Sequence, residues 1–188
     1  LGADSVARAV VNNDGIIEAH SLDSHNGVIR LLGDMQTGTV NVAGTLDASA
    51  PQSGDGGFIE TSAASVKVAN SAVVTASAAN GVAGTWLLDP QNYTVAASGG
   101  DVTGALVSST LDGGTNVTIA SAAGSVSGNG DIFIDDAIGW STGNTLTLNA
   151  VHEPWSRRPR AIAHADRLAS AVSLDVASTG WTPTWPPW

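Results

Sequence analysis

The chain has 188 residues, with 17 Asp plus Glu against 7 Lys plus Arg and a formal net charge of -10. That length is enough for one sizeable core or for one repetitive domain with an appendage. The negative balance argues against nucleic acid or an anionic membrane surface as partner, because both attract positive charge, and the absence of Cys excludes a disulfide framework, a thiolate metal site and a cysteine nucleophile.

No uninterrupted apolar run reaches the roughly 18 residues that a membrane-spanning helix needs. The first residues, Leu1-Gly2-Ala3-Asp4-Ser5, carry neither an initiator Met nor a basic leader, so the chain reads as a piece of a longer one.

Residues 1–150 are dominated by Gly, Ala, Ser, Thr, Val and Asn, and short β-branched stretches separated by Gly, Asn and Asp predict strand-turn-strand structure throughout. One pattern recurs as Asn26-Gly27-Val28-Ile29-Arg30-Leu31, Gly56-Gly57-Phe58-Ile59-Glu60-Thr61 and Ala83-Gly84-Thr85-Trp86-Leu87-Leu88, with Gly27, Gly57 and Gly84 spaced 30 and 27 residues apart. A second pattern places Glu18-Ala19, Asp47-Ala48 and Thr75-Ala76 at spacings of 29 and 28. Two interleaved strand families on one period predict an all-β solenoid. No single turn buries its inward face alone, but stacked turns pair every strand edge and share one apolar core.

Alternation in Val40-Asn41-Val42 and Val66-Lys67-Val68 sends Val inward and the polar residue outward. Gly27, Gly57 and Gly84 are expected at equivalent corners, where positive φ would be permitted, and Asn12, Asn13, Asn26, Asn70 and Asn80 are residues that tolerate the left-handed region. The coils with a 27–30-residue period are therefore assigned to 1–90.

After Pro90 the period fades. Asp101–Asp112 reads either as one or two helical turns or as a pair of short strands, and composition does not choose. Strand character returns at 116–119, 131–134, 137–140 and 145–148, so 91–150 is expected to add further short strands or coils.

Beyond Ala150 the text changes. Residues 151–188 hold Arg157, Arg158, Arg160 and Arg167, four of the 6 Trp and five of the 7 Pro. Such Arg-, Pro- and Trp-rich text is what GC-rich codons give when read out of frame. The tail is therefore expected to be out of frame or disordered and to add no coil, with a genuine appended module as the alternative and one candidate helix over 161–172; Trp181–Trp188 is too Pro-rich for a helix or a central strand.

Four motifs in order, Gly56-Gly57-Phe58-Ile59-Glu60-Thr61-Ser62-Ala63, Gly84-Thr85-Trp86-Leu87-Leu88-Asp89-Pro90-Gln91-Asn92-Tyr93-Thr94-Val95, Gly130-Asp131-Ile132 running to Trp140, and Thr145-Leu146-Thr147-Leu148-Asn149-Ala150, resemble bacterial surface proteins of the filamentous haemagglutinin family. The resemblance covers residues 10–150. It implies a right-handed parallel β-helix, and two-partner secretion through an outer-membrane β-barrel transporter to the cell surface or medium. It also implies cell adhesion to a glycan or protein of a host or neighbouring cell, in the setting of virulence. The family's further Gly-Asp-Ile repeat is absent after Ala150, which sets the tail apart.

Candidate chemistry is sparse. Gly128-Asn129-Gly130-Asp131-Ile132-Phe133-Ile134 invites comparison with calcium-binding β-helix repeats, but Asp131 is one place early, no second copy follows, and the default is a turn Asp entering a strand. Asp135-Asp136 has the composition of a glycan-cleaving acid pair, yet adjacent strand residues point to opposite faces. His20, His25, His152 and His164 include no pair at metal-ligand spacing on a helix, so no metal site is assigned and they are read as exposed turn residues. Trp86, within an apolar run, is read as core or end plug, whereas Trp140 is retained as a ligand-binding candidate because an aromatic face suits a sugar ring. The expectation is a non-enzymatic adhesin scaffold without catalytic residues or cofactors. Its rivals are a carbohydrate-active β-helix enzyme and a non-functional remnant of a larger adhesin gene.

Overall fold

In the computed structural model, residues 10–22, 26–121 and 130–151 are described together with the backbone of 162–164 and 172–176. The first three coils are β1 (Val10–Asn13), β2 (Ile16–Glu18) and β3 (Val28–Leu32); β4 (Thr39–Val42), β5 (Thr45–Asp47) and β6 (Phe58–Ser62); and β7 (Ser65–Val68), β8 (Val73–Thr75) and β9 (Thr85–Asp89). Next come β10 (Tyr93–Val95), α1 (Gly104–Asp112) and β11 (Asn116–Ala120), then β12 (Ile132–Ile134), β13 (Ile138–Trp140) and β14 (Leu146–Ala150). Two further strands are β15 (Ile162–His164) and β16 (Val172–Val176).

Strands pair in parallel with their counterparts one coil away. The ladders run β1-β4-β7, β2-β5-β8 and β3-β6-β9-β11-β14-β16, so the molecule is a parallel β-solenoid. Residues 10–90 form three stacked coils as the period predicts, and Val42 faces Val68 with both side chains buried.

In the long ladder the matched residues Ile29, Ile59, Trp86, Val117, Leu146 and Val172 lie 30, 27, 31, 29 and 26 residues apart. The period therefore persists beyond Pro90, where the sequence pattern alone fades. What changes there is the second strand of the coil, which α1 replaces by packing against β8, β11 and β13. Asp101 bridges the first face at the same level: its carbonyl accepts from the Val68 N–H at 2.8 Å, and its own N–H donates to the Thr94 carbonyl at 2.8 Å.

The helix has local reasons to start and stop. Thr103 is its N-cap, its side chain accepting from the Leu106 N–H at 3.3 Å. One Asp136 carboxylate oxygen accepts from the Gly104 N–H at 2.9 Å, where the helix dipole favours negative charge. Leu106, Val107 and Leu111 enter the core, and Gly113 closes the last turn by donating to the Ser109 carbonyl at 2.8 Å.

Gly27, Gly57 and Gly84 do stack at equivalent corners. Phe58 N–H donates to the Gly27 carbonyl at 2.8 Å, Thr85 N–H to that of Gly57 at 3.1 Å, and Asn116 N–H to that of Gly84 at 2.9 Å. The reason for glycine differs from the expectation, because none of the three has positive φ. A Cβ on Gly57 would lie 2.1 Å from the Gly27 carbonyl oxygen, and one on Gly84 would lie 2.1 Å from that of Gly57. Space between coils, not left-handed backbone, demands glycine. Asn12 and Asn13 likewise lie in β1 rather than in a left-handed turn, with the Asn12 Oδ1 accepting from the Asn41 Nδ2 of the next coil at 2.8 Å.

The expectation that no coil follows Ala150 is corrected. β16 continues the long ladder from Leu146↔Val172 to Ala150↔Val176, and β15 pairs with β13 from Ile138↔Ile162 to Trp140↔His164. Alternation in Val172-Ser173-Leu174-Asp175-Val176, one period after β14, supplies the physical reason: its apolar residues repeat every second position. Part of the stretch read as a candidate helix is strand β15, and Trp181–Trp188 lies outside the described residues.

Candidate functional site

Both tryptophans that the sequence singles out and the structure describes belong to the core. Trp86 is 0 % exposed in the inward column between Ile59 and Val117. A buried indole N–H needs an acceptor. Thr61 supplies it from the neighbouring coil, with its Oγ1 3.2 Å from the Trp86 Nε1.

Trp140 is 3 % exposed, and its Nε1 donates to the Asn144 carbonyl at 2.8 Å. Its ring therefore presents no free face to a sugar, and the ligand-binding expectation for Trp140 is withdrawn. Alternation explains it: in β13, Ile138 and Trp140 point inward while Gly139 points out.

The acids at 135 and 136 do not converge. Asp136 holds the start of α1 and also accepts from its neighbour's N–H, Ala137, at 2.9 Å. Asp135 is exposed, and its N–H pairs with the Val95 carbonyl at 2.8 Å. Ahead of β12, the Asn92 Oδ1 accepts from the N–H groups of Gly130 and Asp131 at 2.8 and 2.9 Å, so Asp131 enters a strand from a turn; Gly128 and Asn129 lie outside the described residues.

An open cavity of about 470 Å³ lies where α1 meets the turn between β7 and β8, lined in part by Asn70, Ala72, Ala97, Thr103, Ser109 and Asp136. Its polar groups are largely committed to each other or to backbone. Thr103 Oγ1 donates to Asn70 Oδ1 at 2.9 Å, and Ser109 Oγ donates to the Leu106 carbonyl at 2.9 Å.

A different grouping arises on the outer face of the first two coils. Glu18 at the end of β2 lies in register with Asp47 at the end of β5, and His20 follows two residues after Glu18. One ligand atom from each of Glu18, His20 and Asp47 falls within 4.8 Å of the others. His20 Nε2 is 3.2 Å from Asp47 Oδ2, with the two side chains 39 % and 22 % exposed. Burial pushes the Asp47 carboxyl up, but bonds from the Ser49 side chain and N–H and the nearby His20 outweigh it and hold the pKa below its ordinary value.

Helical spacing does not connect Glu18, His20 and Asp47, so the grouping is not legible from the spacing of the histidines. The usable signal was the coil period itself, which sets Glu18 opposite Asp47. His25 and His152 lie outside the described residues, and only the backbone of His164 is described.

Tyr93 is fully enclosed, and its hydroxyl has no partner among the described residues. Burial, then the charge of Asp101, pushes its pKa well above the ordinary value. A proton held that tightly inside the core is remote from surface chemistry. Comparison of the chain with protein-family models, curated proteins and solved structures finds no match.

Proposed function

We propose that this chain is a non-enzymatic segment of an exported bacterial adhesin of the filamentous haemagglutinin type, acting as a stiff β-helical scaffold for cell-surface attachment. The observation that carries the reading is the long parallel ladder β3-β6-β9-β11-β14-β16. Three of the four motifs behind the resemblance fall on it, as β6, β9 and β14. Each coil contacts its neighbours and advances about 4.8 Å, so adding coils lengthens the rod without altering its section.

Such a rod suits presentation of surfaces at a distance from a cell. Its outward strand positions carry Arg30, Asn41, Glu60 and Lys67, and pairs between coils tie them sideways: Arg30 Nε lies 3.0 Å from Glu60 Oε2. In this reading the partners are an outer-membrane β-barrel transporter of two-partner secretion and a glycan or protein on a host or neighbouring cell. The absence of cysteine suits a chain that crosses a membrane unfolded.

The test is adhesion of beads coated with the purified protein to epithelial cells, red cells and immobilised glycans. Adhesion above that of albumin-coated beads, lost when Ile59→Asp unfolds the coils, is expected. Adhesion no better than albumin removes the attachment role, and release of new reducing ends from a bound glycan replaces the scaffold with an enzyme.

A further inference from the structure

We propose that the outer face of the first two coils binds a divalent transition-metal ion of the zinc type between Glu18, His20 and Asp47, and that the ion ties β2 to β5. An imidazole nitrogen with two carboxylate oxygens is a ligand set that such ions accept, with bonds of about 2.0–2.2 Å. In a tetrahedral site those bond lengths place neighbouring ligand atoms about 3.3–3.6 Å apart. His20 Nε2 and Asp47 Oδ2 already stand 3.2 Å apart, close to that separation. Glu18 is an exposed side chain on the adjacent strand, and one of its carboxylate oxygens lies within 4.8 Å of the ligand atoms of His20 and Asp47.

The Asp47 carboxylate is already oriented for the task. Its Oδ1 accepts from the Ser49 N–H at 2.9 Å, which leaves Oδ2 toward His20. Fixing one carboxylate oxygen so that the other faces the ion is how outer hydrogen bonds hold metal ligands.

Glu18 and Asp47 are carboxylates directly opposite on adjacent strands, and His20, 3.2 Å from Asp47, is the neighbouring group that faces them. The lysine and arginine side chains among the described residues are engaged elsewhere, Arg30 with Glu60 and Lys67 with Asp101. Other outward columns match their partners across coils, as Arg30 over Glu60 and Asn41 over Asn12 do. The column through Glu18 and Asp47 is the like-charged exception among these, and His20 stands beside it. With three protein ligands, a fourth position remains for water or for a carboxylate or carbonyl of a bound surface.

The full chain, stripped with EDTA and returned to chelator-free buffer, would be titrated with zinc chloride by calorimetry slightly above neutral pH, and its melting followed with and without the metal. One bound ion per chain and a higher melting temperature are expected, with affinity at least tenfold weaker in His20→Gln and in Asp47→Asn. All three side chains are at least partly exposed, so these variants retain the coils, and an unchanged circular dichroism spectrum checks this. No binding heat overturns the proposal. So does zinc binding of equal strength in His20→Gln, because the ion then sits on other residues. Binding of calcium as tight as zinc and indifferent to His20→Gln would likewise overturn it, leaving only diffuse attraction to acidic groups.

Discussion

Asp89 ends β9 partly buried, with its Oδ1 unpartnered among the described residues. Burial, then the charge of Glu60, raises its pKa above the ordinary 3.8. The folded state therefore holds this proton more tightly than the unfolded chain. The stability it contributes is present below 3.8 and falls as pH rises through the window up to the raised value. Asp89→Asn should melt higher than the native protein near neutral pH, and the advantage should vanish below 3.8; a melting series across pH checks both. Thr61 makes the opposite case. Thr61→Val keeps shape but leaves the Trp86 N–H unpaired in the core, so a loss of about 1–3 kcal/mol is expected from chemical denaturation. Burial of Trp86 was legible from its apolar neighbours, whereas its dependence on Thr61 was not, because the partner lies 25 residues away and becomes adjacent only through the stacking.

At the scale of elements, the glycine column and the helix carry the argument. Gly57→Ala would drive a Cβ against the backbone oxygens of Gly27 at 2.1 Å and Ala48 at 2.8 Å, atoms that belong to a paired coil. Coil spacing would have to open, at a cost of about 1–3 kcal/mol or more, seen as a lower denaturation midpoint. The column ends at Thr115, which stands where Gly84 stands one coil earlier, and its hydroxyl accepts from the Ala76 N–H at 2.8 Å. For α1, Asp136→Ala removes the acceptor of the Gly104 N–H and should cost about 0.5–2 kcal/mol, with faster amide exchange confined to the first turn. The strands of the first three coils were legible because period and alternation agree. The helix was not decided by its sequence, since Val107 and Thr110 are β-branched and no charged pair supports the turn. It forms because its buried face fits between β8 and β13. The glycines were located correctly for an incomplete reason, because a sequence shows backbone permissiveness more readily than crowding between coils.

For the whole molecule, the pairing of β16 with β14 and β15 with β13 makes the residues after Ala150 part of the ladders, contrary to the expectation that they add no coil. Cutting after Ala150 should lower the melting temperature and promote association, because it bares the backbone edges of β13 and β14. Composition hides this: the Arg, Pro and Trp residues of the tail outweigh the short alternation at 172–176. Stacked coils with shared ladders also predict that a single inward charge spreads its damage. Ile59 is 0 % exposed, and Ile59→Asp should unfold neighbouring coils together rather than loosen one. The functional reading rests on this rod being displayed outside a cell, and surface display is directly measurable. In the organism that encodes the chain, an antibody against residues 10–150 would be applied to intact cells, permeabilised cells and culture medium. The scaffold reading predicts labelling of intact cells or recovery from the medium, with the surface signal removed by added protease. Detection confined to the interior, with intact cells unlabelled and the medium empty, would contradict it.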